Sequence, residues 1–272
     1  MTERIGRRGV LALMGAALTG FPATLVRAEN DPWPGLHQDV FRSRPIVEED
    51  GLVTLDAPMR AEDAALVPLT VKVDRDRLPS PRSLTLVIDK NPAPVAATFL
   101  FGEGAGEIVL STRVRIDAYS NVRAVVEAAD GTLHMTTRFV KASGGCSAPA
   151  LKDADQAASE LGKMQLRQFF AGGANSETRE AQLMIRHPNS SGLQMNQLTG
   201  YYIPAKFVSD LEVKRGEVLI FRMEGGISLS ADPNIRFMFR PGAVDDMLIA
   251  VARDTDGRVM RGEWPVKSGK DS

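Results

Sequence analysis

Short alternating apolar runs, each closed by a turn signal after roughly 8–12 residues, recur in two separate stretches of this 272-residue chain. Such runs bury one face each, so they require two layers of strands packed face to face. In the first stretch, Leu66 to Val73 is β-branched and stops at Asp74-Arg75-Asp76-Arg77. Ser83 to Asp89 alternates, thickens into an apolar run and breaks at Lys90-Asn91-Pro92-Ala93-Pro94. Ala97 to Phe101 leads into Gly102-Glu103-Gly104-Ala105-Gly106. From Glu107 to Ile116, one face carries Ile108, Leu110, Thr112, Val114 and Ile116. Asn121 to Ala128 and Thr132 to Val140 flank Asp130-Gly131, a hairpin signal.

The second stretch opens at Met164–Phe170 and Ala181–Arg186. Ala205–Val213 and Glu217–Met223 follow around the turn Lys214-Arg215-Gly216. Asn234–Arg240 places Ile235, Phe237 and Phe239 on one face, and Met247–Arg253 pairs with Arg258–Trp264 across Asp254-Thr255-Asp256-Gly257. Six strands in the first stretch and about seven in the second predict an all-β chain of two immunoglobulin-like β-sandwich domains, 29–140 and 164–272. The two stretches do not align as a repeat. Between them, 141–163 reads as a flexible, partly helical linker: a Gly/Ser/Ala/Pro segment to Ala150, then an Ala-, Asp-, Glu- and Lys-rich run.

That linker holds the only cysteine, Cys146, in Gly144-Gly145-Cys146-Ser147. A thiol that other proteins must reach belongs on a mobile segment, and paired glycines give backbone freedom. Gly144, Gly145 and Ser147 are therefore read as a flexible arm presenting Cys146 to solvent. Lys141 and Lys152 would lower the thiol pKa below its ordinary value of about 8.5. Val140 to Cys146 spans roughly 20 Å when extended.

The N-terminus reads as a targeting segment. Arg7-Arg8 precede weakly apolar stretches, Val10 to Leu18 and then Phe21 to Val26, with Ala28 at the cleavage position, the pattern of a twin-arginine signal over residues 1–28. The expected location is the periplasm. The apolar segment is broken by Gly15, Gly20 and Pro22 and falls short of the ~20 residues of a membrane span. Export makes a lone cysteine informative, because it has no internal disulfide partner and points to intermolecular pairing or a reactive thiol.

The formal net charge of −1 and the absence of basic runs argue against nucleic-acid binding. Gly102-Glu103-Gly104-Ala105-Gly106 lacks the Lys-Ser/Thr ending of a phosphate loop and is read as a hairpin turn. Asp254-Thr255-Asp256-Gly257 begins like a calcium loop, but Pro265 stands at the twelfth position, so it reads as a turn. His37, His134 and His187 have no metal-ligand spacing, and Met195, Met223, Met238 and Met247 read as packing residues; no metal and no resident cofactor is expected. A Cys–His catalytic pair needs a rigidly held nucleophile. A glycine tether is the opposite, so a non-enzymatic role is expected, with covalent sulfur cargo on Cys146 in place of a cofactor.

Several short motifs, in order, resemble a known pair of families. Val67-Pro68-Leu69-Thr70-Val71, Ser83 to Pro92 and the closing Gly144-Gly145-Cys146 are similar to the SoxY subunit of the bacterial Sox sulfur-oxidation system. Ile185-Arg186-His187-Pro188 with Ser191-Gly192, Ile203-Pro204, Gly225-Gly226-Ile227-Ser228 with Asn234, and Phe237-Met238-Phe239 are similar to its partner SoxZ. The single-chain order resembles fused SoxYZ-like proteins associated with quinoprotein dehydrogenases. The resemblance implies covalent carriage of sulfur intermediates, thiosulfate-derived in the Sox system, on Cys146. It also implies pairing of the two domains within one chain, and partners that are periplasmic Sox-type enzymes. An accessory role beside a PQQ-dependent dehydrogenase or its cytochrome is the alternative. The SoxY pattern continues with two more glycines, whereas Ser147 and Ala148 stand here, and the chain runs on into the second domain.

Overall fold

The computed structural model describes residues 2, 31–149, 159–169, 177–242 and 246–267. Apart from Thr2, the signal segment 1–28 lies outside the described residues, as do Lys152 and most of the helical part of the linker. From Pro32 onward the chain forms one compact unit.

Nearly every strand anticipated from the alternation is present, with one helix and two short strands before them. In chain order the elements are α1 (Trp33–Phe41), β1 (Ile46–Val47), β2 (Val53–Asp56), β3 (Val67–Val73), β4 (Ser83–Ile88), β5 (Val95–Phe101), β6 (Val109–Val114), β7 (Ser120–Glu127) and β8 (Leu133–Val140). The second half adds β9 (Met164–Phe169), β10 (Arg179–Ile185), β11 (Val208–Arg215), β12 (Val218–Gly225), β13 (Asn234–Phe239), β14 (Met247–Asp254) and β15 (Val259–Pro265).

The two halves share both layers. One nine-stranded sheet runs β1-β8-β7-β4-β5-β12-β11-β14-β15, and one six-stranded sheet runs β2-β3-β6-β13-β10-β9. Strands of the first half therefore pair edge to edge with strands of the second. β5 and β12 are antiparallel, with Phe101 opposite Phe221 and Phe99 opposite Met223. β6 and β13 meet at Ser111 and Arg236. Across this seam Phe99 packs edge-on against Phe221 at 5.8 Å, and Phe221 against Phe237 at 5.1 Å. One apolar core continues through both halves.

Alternation explains most of the burial. Val67, Leu69, Val71 and Val73 of β3 point inward, as do Ile235, Phe237 and Phe239 of β13. β4 is buried on both faces because α1 covers its outer side: Val87 packs in a second cluster with Phe41, Val125, Leu133 and Met135, against Trp33 and Leu36. The sequence gives α1 only a weak signal. It has nine residues, Gly35 within it, no side-chain cap and a proline in its first turn.

The glycine loop 102–106 is not a hairpin turn. It crosses from β5 in the larger sheet to β6 in the smaller one, and its backbone lies on β12 of the other half, with Gly102 N donating to Ile220 O at 2.9 Å and Gly104 N to Leu219 O at 2.8 Å. A β-carbon on Gly102 would collide with the Leu219 carbonyl and stand 2.7 Å from Leu219 Cβ. These glycines are there for close approach across the seam. The turns at Asp130-Gly131, Arg215-Gly216 and Asp254–Gly257 do join antiparallel pairs, as anticipated. No described helix is long and apolar enough to cross a membrane.

Gly102→Ala should therefore destabilise the protein by about 2–4 kcal/mol, a cost of overpacking at a backbone that cannot yield. Gly35→Ala, with nothing near its β-carbon, should be neutral or stabilising by up to about 1 kcal/mol. Urea unfolding of the two variants checks both, and equal effects would refute the seam argument.

Candidate functional site

Where the seam ends, the segment carrying the cysteine folds back onto both halves. Lys141 N donates to Met59 O at 2.8 Å, Gly144 N to Asp117 O at 2.8 Å and Gly145 N to Ile116 O at 3.0 Å. Gly144 has φ of 77°, a left-handed conformation that a side chain disfavours. At Gly145 a β-carbon would collide with the Ala64 carbonyl and lie 2.7 Å from Ile116 O. Both glycines are thus required by a tight seat. Ser147 is exposed, and its hydroxyl donates to Gly144 O at 3.3 Å.

The second half closes the seat. Ser191 Oγ donates to Cys146 O, and Gln194 Nε2 donates to Ala148 O at 2.9 Å. Arg115, only 2% exposed, donates to Gly145 O at 3.2 Å and to Asn189 O at 3.4 Å. Asn189 sits at a left-handed φ of 43°. Buried His187 fixes that turn: its Nδ1 accepts from Asn189 N at 3.0 Å, and its Nε2 lies 3.4 Å from Asp254 Oδ2. Burial holds the His187 pKa below the ordinary imidazole value, so the ring is neutral. On the first-half side, Asn91 Nδ2 donates to Arg115 O at 2.7 Å and to Ser228 Oγ at 2.9 Å, binding the two halves directly above the seat.

Cys146 is fully buried. The expectation of a thiol standing in solvent on a loose arm is corrected here: peptide hydrogen bonds to both halves pin the segment, and Ala64 and Ile116 backbone closes over it. The pKa correction has the same origin. Burial, and secondarily the Asp117 carboxylate, push the thiol up to about 11, with the Arg115 guanidinium opposing. Lys141 is not among the causes. Arg115 in turn makes no ion pair among the described residues, and its Nε and Asn189 Nδ2 reach no acceptor there. The seat therefore stores a neutral thiol next to a buried, incompletely satisfied cation.

Sequence reasoning did not assign Arg115, Asn189, Ser191 or Gln194. Arg115 follows the outward-facing side of an alternating strand, which reads as solvent-exposed unless a second half covers it. Among the described residues, no cluster of three or more His, Cys, Asp or Glu side chains could hold a metal ion.

A family model described as sulfur oxidation protein SoxY matches residues 37–146, and one described as sulphur oxidation protein SoxZ matches residues 170–265. The chain is a fusion of the SoxY and SoxZ families. Its seam joins the SoxY part to the SoxZ part, and Cys146 is the last residue of the SoxY match. The two parts place it among Sox-type sulfur-oxidation proteins. Among solved structures, the sulfur carrier protein SoxY from Chlorobium limicola f thiosulfatophilum is 28% identical over 41% of this chain and 91% of its own, at a TM-score of 0.35. A superoxide reductase (neelaredoxin) E23A from Ignicoccus hospitalis is 14% identical over 35% of this chain and 93% of its own, at a TM-score of 0.30. At these TM-scores neither likeness bears on the assignment, which rests on the two family matches. No curated protein matches the chain.

A thiol whose folded-state pKa is raised stabilises the fold fully below its ordinary value, and that contribution is lost as pH rises through the folded value. From pH 9 to 11, wild type should lose roughly 2 kcal/mol more unfolding free energy than Cys146→Ala. Urea transitions at each pH measure this, and parallel pH curves would contradict the buried thiol.

Proposed function

We propose that the protein is an exported, non-enzymatic carrier that bears a sulfur intermediate on Cys146 and presents it to Sox-type enzymes. The observation that carries this reading is the position of the sole cysteine: it ends the SoxY match and sits where the SoxY and SoxZ parts meet. Chemically, the Cys146 thiolate displaces one sulfur of an S–S bond in an oxidised sulfur species. A new S–S bond forms, and the electron pair leaves with the displaced sulfur as its anion. A partner enzyme later cleaves the bond and frees the thiol.

In its seat the thiol is silent. With a pKa of about 11, roughly one molecule in ten thousand carries thiolate at pH 7; at an ordinary value of about 8.5 the fraction is a few per cent. Release of the arm thus exposes the sulfur and raises its thiolate fraction together. Lys141 is tied to Met59 and Ala61, so the arm swings from about Ala142 and gains roughly 13 Å of reach. A partner must break the Ser191 and Gln194 bonds. The Leu193–Tyr202 hairpin that those residues anchor carries Leu198, Tyr201 and Tyr202 largely in solvent, next to the seat.

Ser191→Ala/Gln194→Ala removes the two side-chain bonds to the arm, at about 1 kcal/mol each, together with two bonds inside the 191–194 turn. Alkylation of Cys146 at pH 8 should accelerate roughly ten- to thirtyfold, and the global unfolding free energy should fall by a similar ~2 kcal/mol, because both start from the closed arm. An unchanged rate would show that these residues do not hold the arm closed. For the function itself, intact mass spectrometry of protein from its native compartment should reveal an adduct that reductant removes. Consistent recovery of the bare thiol would refute carriage.

The burial of Cys146 favours a second reading, an adaptor beside a PQQ-dependent dehydrogenase or its cytochrome in which the cysteine only packs. Cys146→Ser separates the two. A carrier loses its activity in a reconstituted sulfur-oxidation assay, whereas an adaptor retains its function.

A further inference from the structure

At the opposite end of the sandwich from Cys146, about 25 Å away along the chain from Ile116 at the seat to Ile108 at the cleft, a second polar site is assembled from both halves. We propose that the cleft lined by Arg75, Arg82 and Arg240 binds a small oxyanion carrying at least two negative charges. The cleft has a volume of about 540 Å³, within the roughly 300–1,000 Å³ of ligand sites. Arg75 and Arg82 come from the SoxY part, Arg240 from the residue after β13 in the SoxZ part, so the site exists only where the halves are joined.

Backbone carbonyls position two of these cations. The Arg75 guanidinium donates to Gly106 O and Pro79 O, and Arg240 donates to Glu103 O at 3.4 Å. Arg82 makes no side-chain hydrogen bond, and none of the three forms an ion pair among the described residues. Glu103 also lines the cleft, but its carbonyl, not its carboxylate, meets Arg240. Burial, and then the Arg240 charge, lower the Arg75 pKa, with Glu107 offsetting them only in part. Like charges held close with no ion pair to a carboxylate are costly, the nearby Glu107 offsetting that only in part, and an anion accepting paired N–H bonds from the guanidiniums relieves the remainder. Terminal –SO₃ and –PO₃ groups share this chemistry.

The test uses the full chain carrying Cys146→Ser, so that the inference stands or falls apart from carriage. Thiosulfate, sulfate and phosphate are titrated calorimetrically in low-salt buffer, with chloride at matched ionic strength as the control. The dianions should bind and chloride should not, and Arg82→Gln/Arg240→Gln should weaken binding at least tenfold. Arg138→Gln, an exposed change on β8, should leave it unchanged. Arg82→Gln alone, at a side chain without hydrogen bonds, should weaken binding at least threefold and serves if the double variant misfolds. A several-fold preference for thiosulfate over phosphate would assign the cleft to sulfur oxyanions, and equal affinities to dianions in general. No heat beyond that of chloride, or equal affinity in wild-type and variant clefts, would overturn the proposal.

Discussion

Neither half of this chain closes its own sheets. β5 and β6 would each leave a row of unpaired peptide groups at an open edge, a liability for any β protein, and β12 and β13 of the second half occupy those edges. The pairing places a continuous apolar core beneath both halves and brings Asn91, Arg115, Asn189, Ser191 and Ser228 to one spot at the end of the seam. The cysteine seat belongs to the joint. A covalent link between partners that pair this way raises their effective concentration and removes the association cost.

If Cys146 carries cargo as proposed, the seat reconciles two demands on its thiol. Held closed, Cys146 is protonated, shielded and incapable of random disulfide exchange; freed, it regains both exposure and nucleophilicity. Arg115 is central to that balance. It is a buried cation with long hydrogen bonds and no ion pair among the described residues, an arrangement that is expensive unless an anion appears beside it. Under the proposed carriage, the thiolate or an anionic group attached to the sulfur would supply one.

Much of the fold was legible in the sequence, because a period of two marks strands directly and Asp-Gly and Arg-Gly turns mark their hairpins. Three features were not. α1 is short and uncapped, and shows itself only through the double-sided apolar run of β4 that it covers. Gly102–Gly106 looks like a turn because glycine serves turns and close backbone contacts alike, and only the partner strand reveals which. The same ambiguity governs Gly144-Gly145: the residues that suggest a loose arm are those that a tight seat needs, since one adopts a left-handed conformation and the other lacks room for a β-carbon. The motif residues His187, Ser191 and Ser228 carried the family resemblance without disclosing their task, which is to build the seat from the far side.

The central claim is that the buried thiol becomes available by a local opening of its arm while both sheets stay intact. Labelling of Cys146 by a fast thiol reagent across sub-denaturing urea tests it directly. Local opening requires a free energy several kcal/mol below that of global unfolding and nearly independent of urea. Labelling that follows the global unfolding free energy and its full urea dependence would mean that the thiol is reached only in the unfolded chain, and would contradict the carrier.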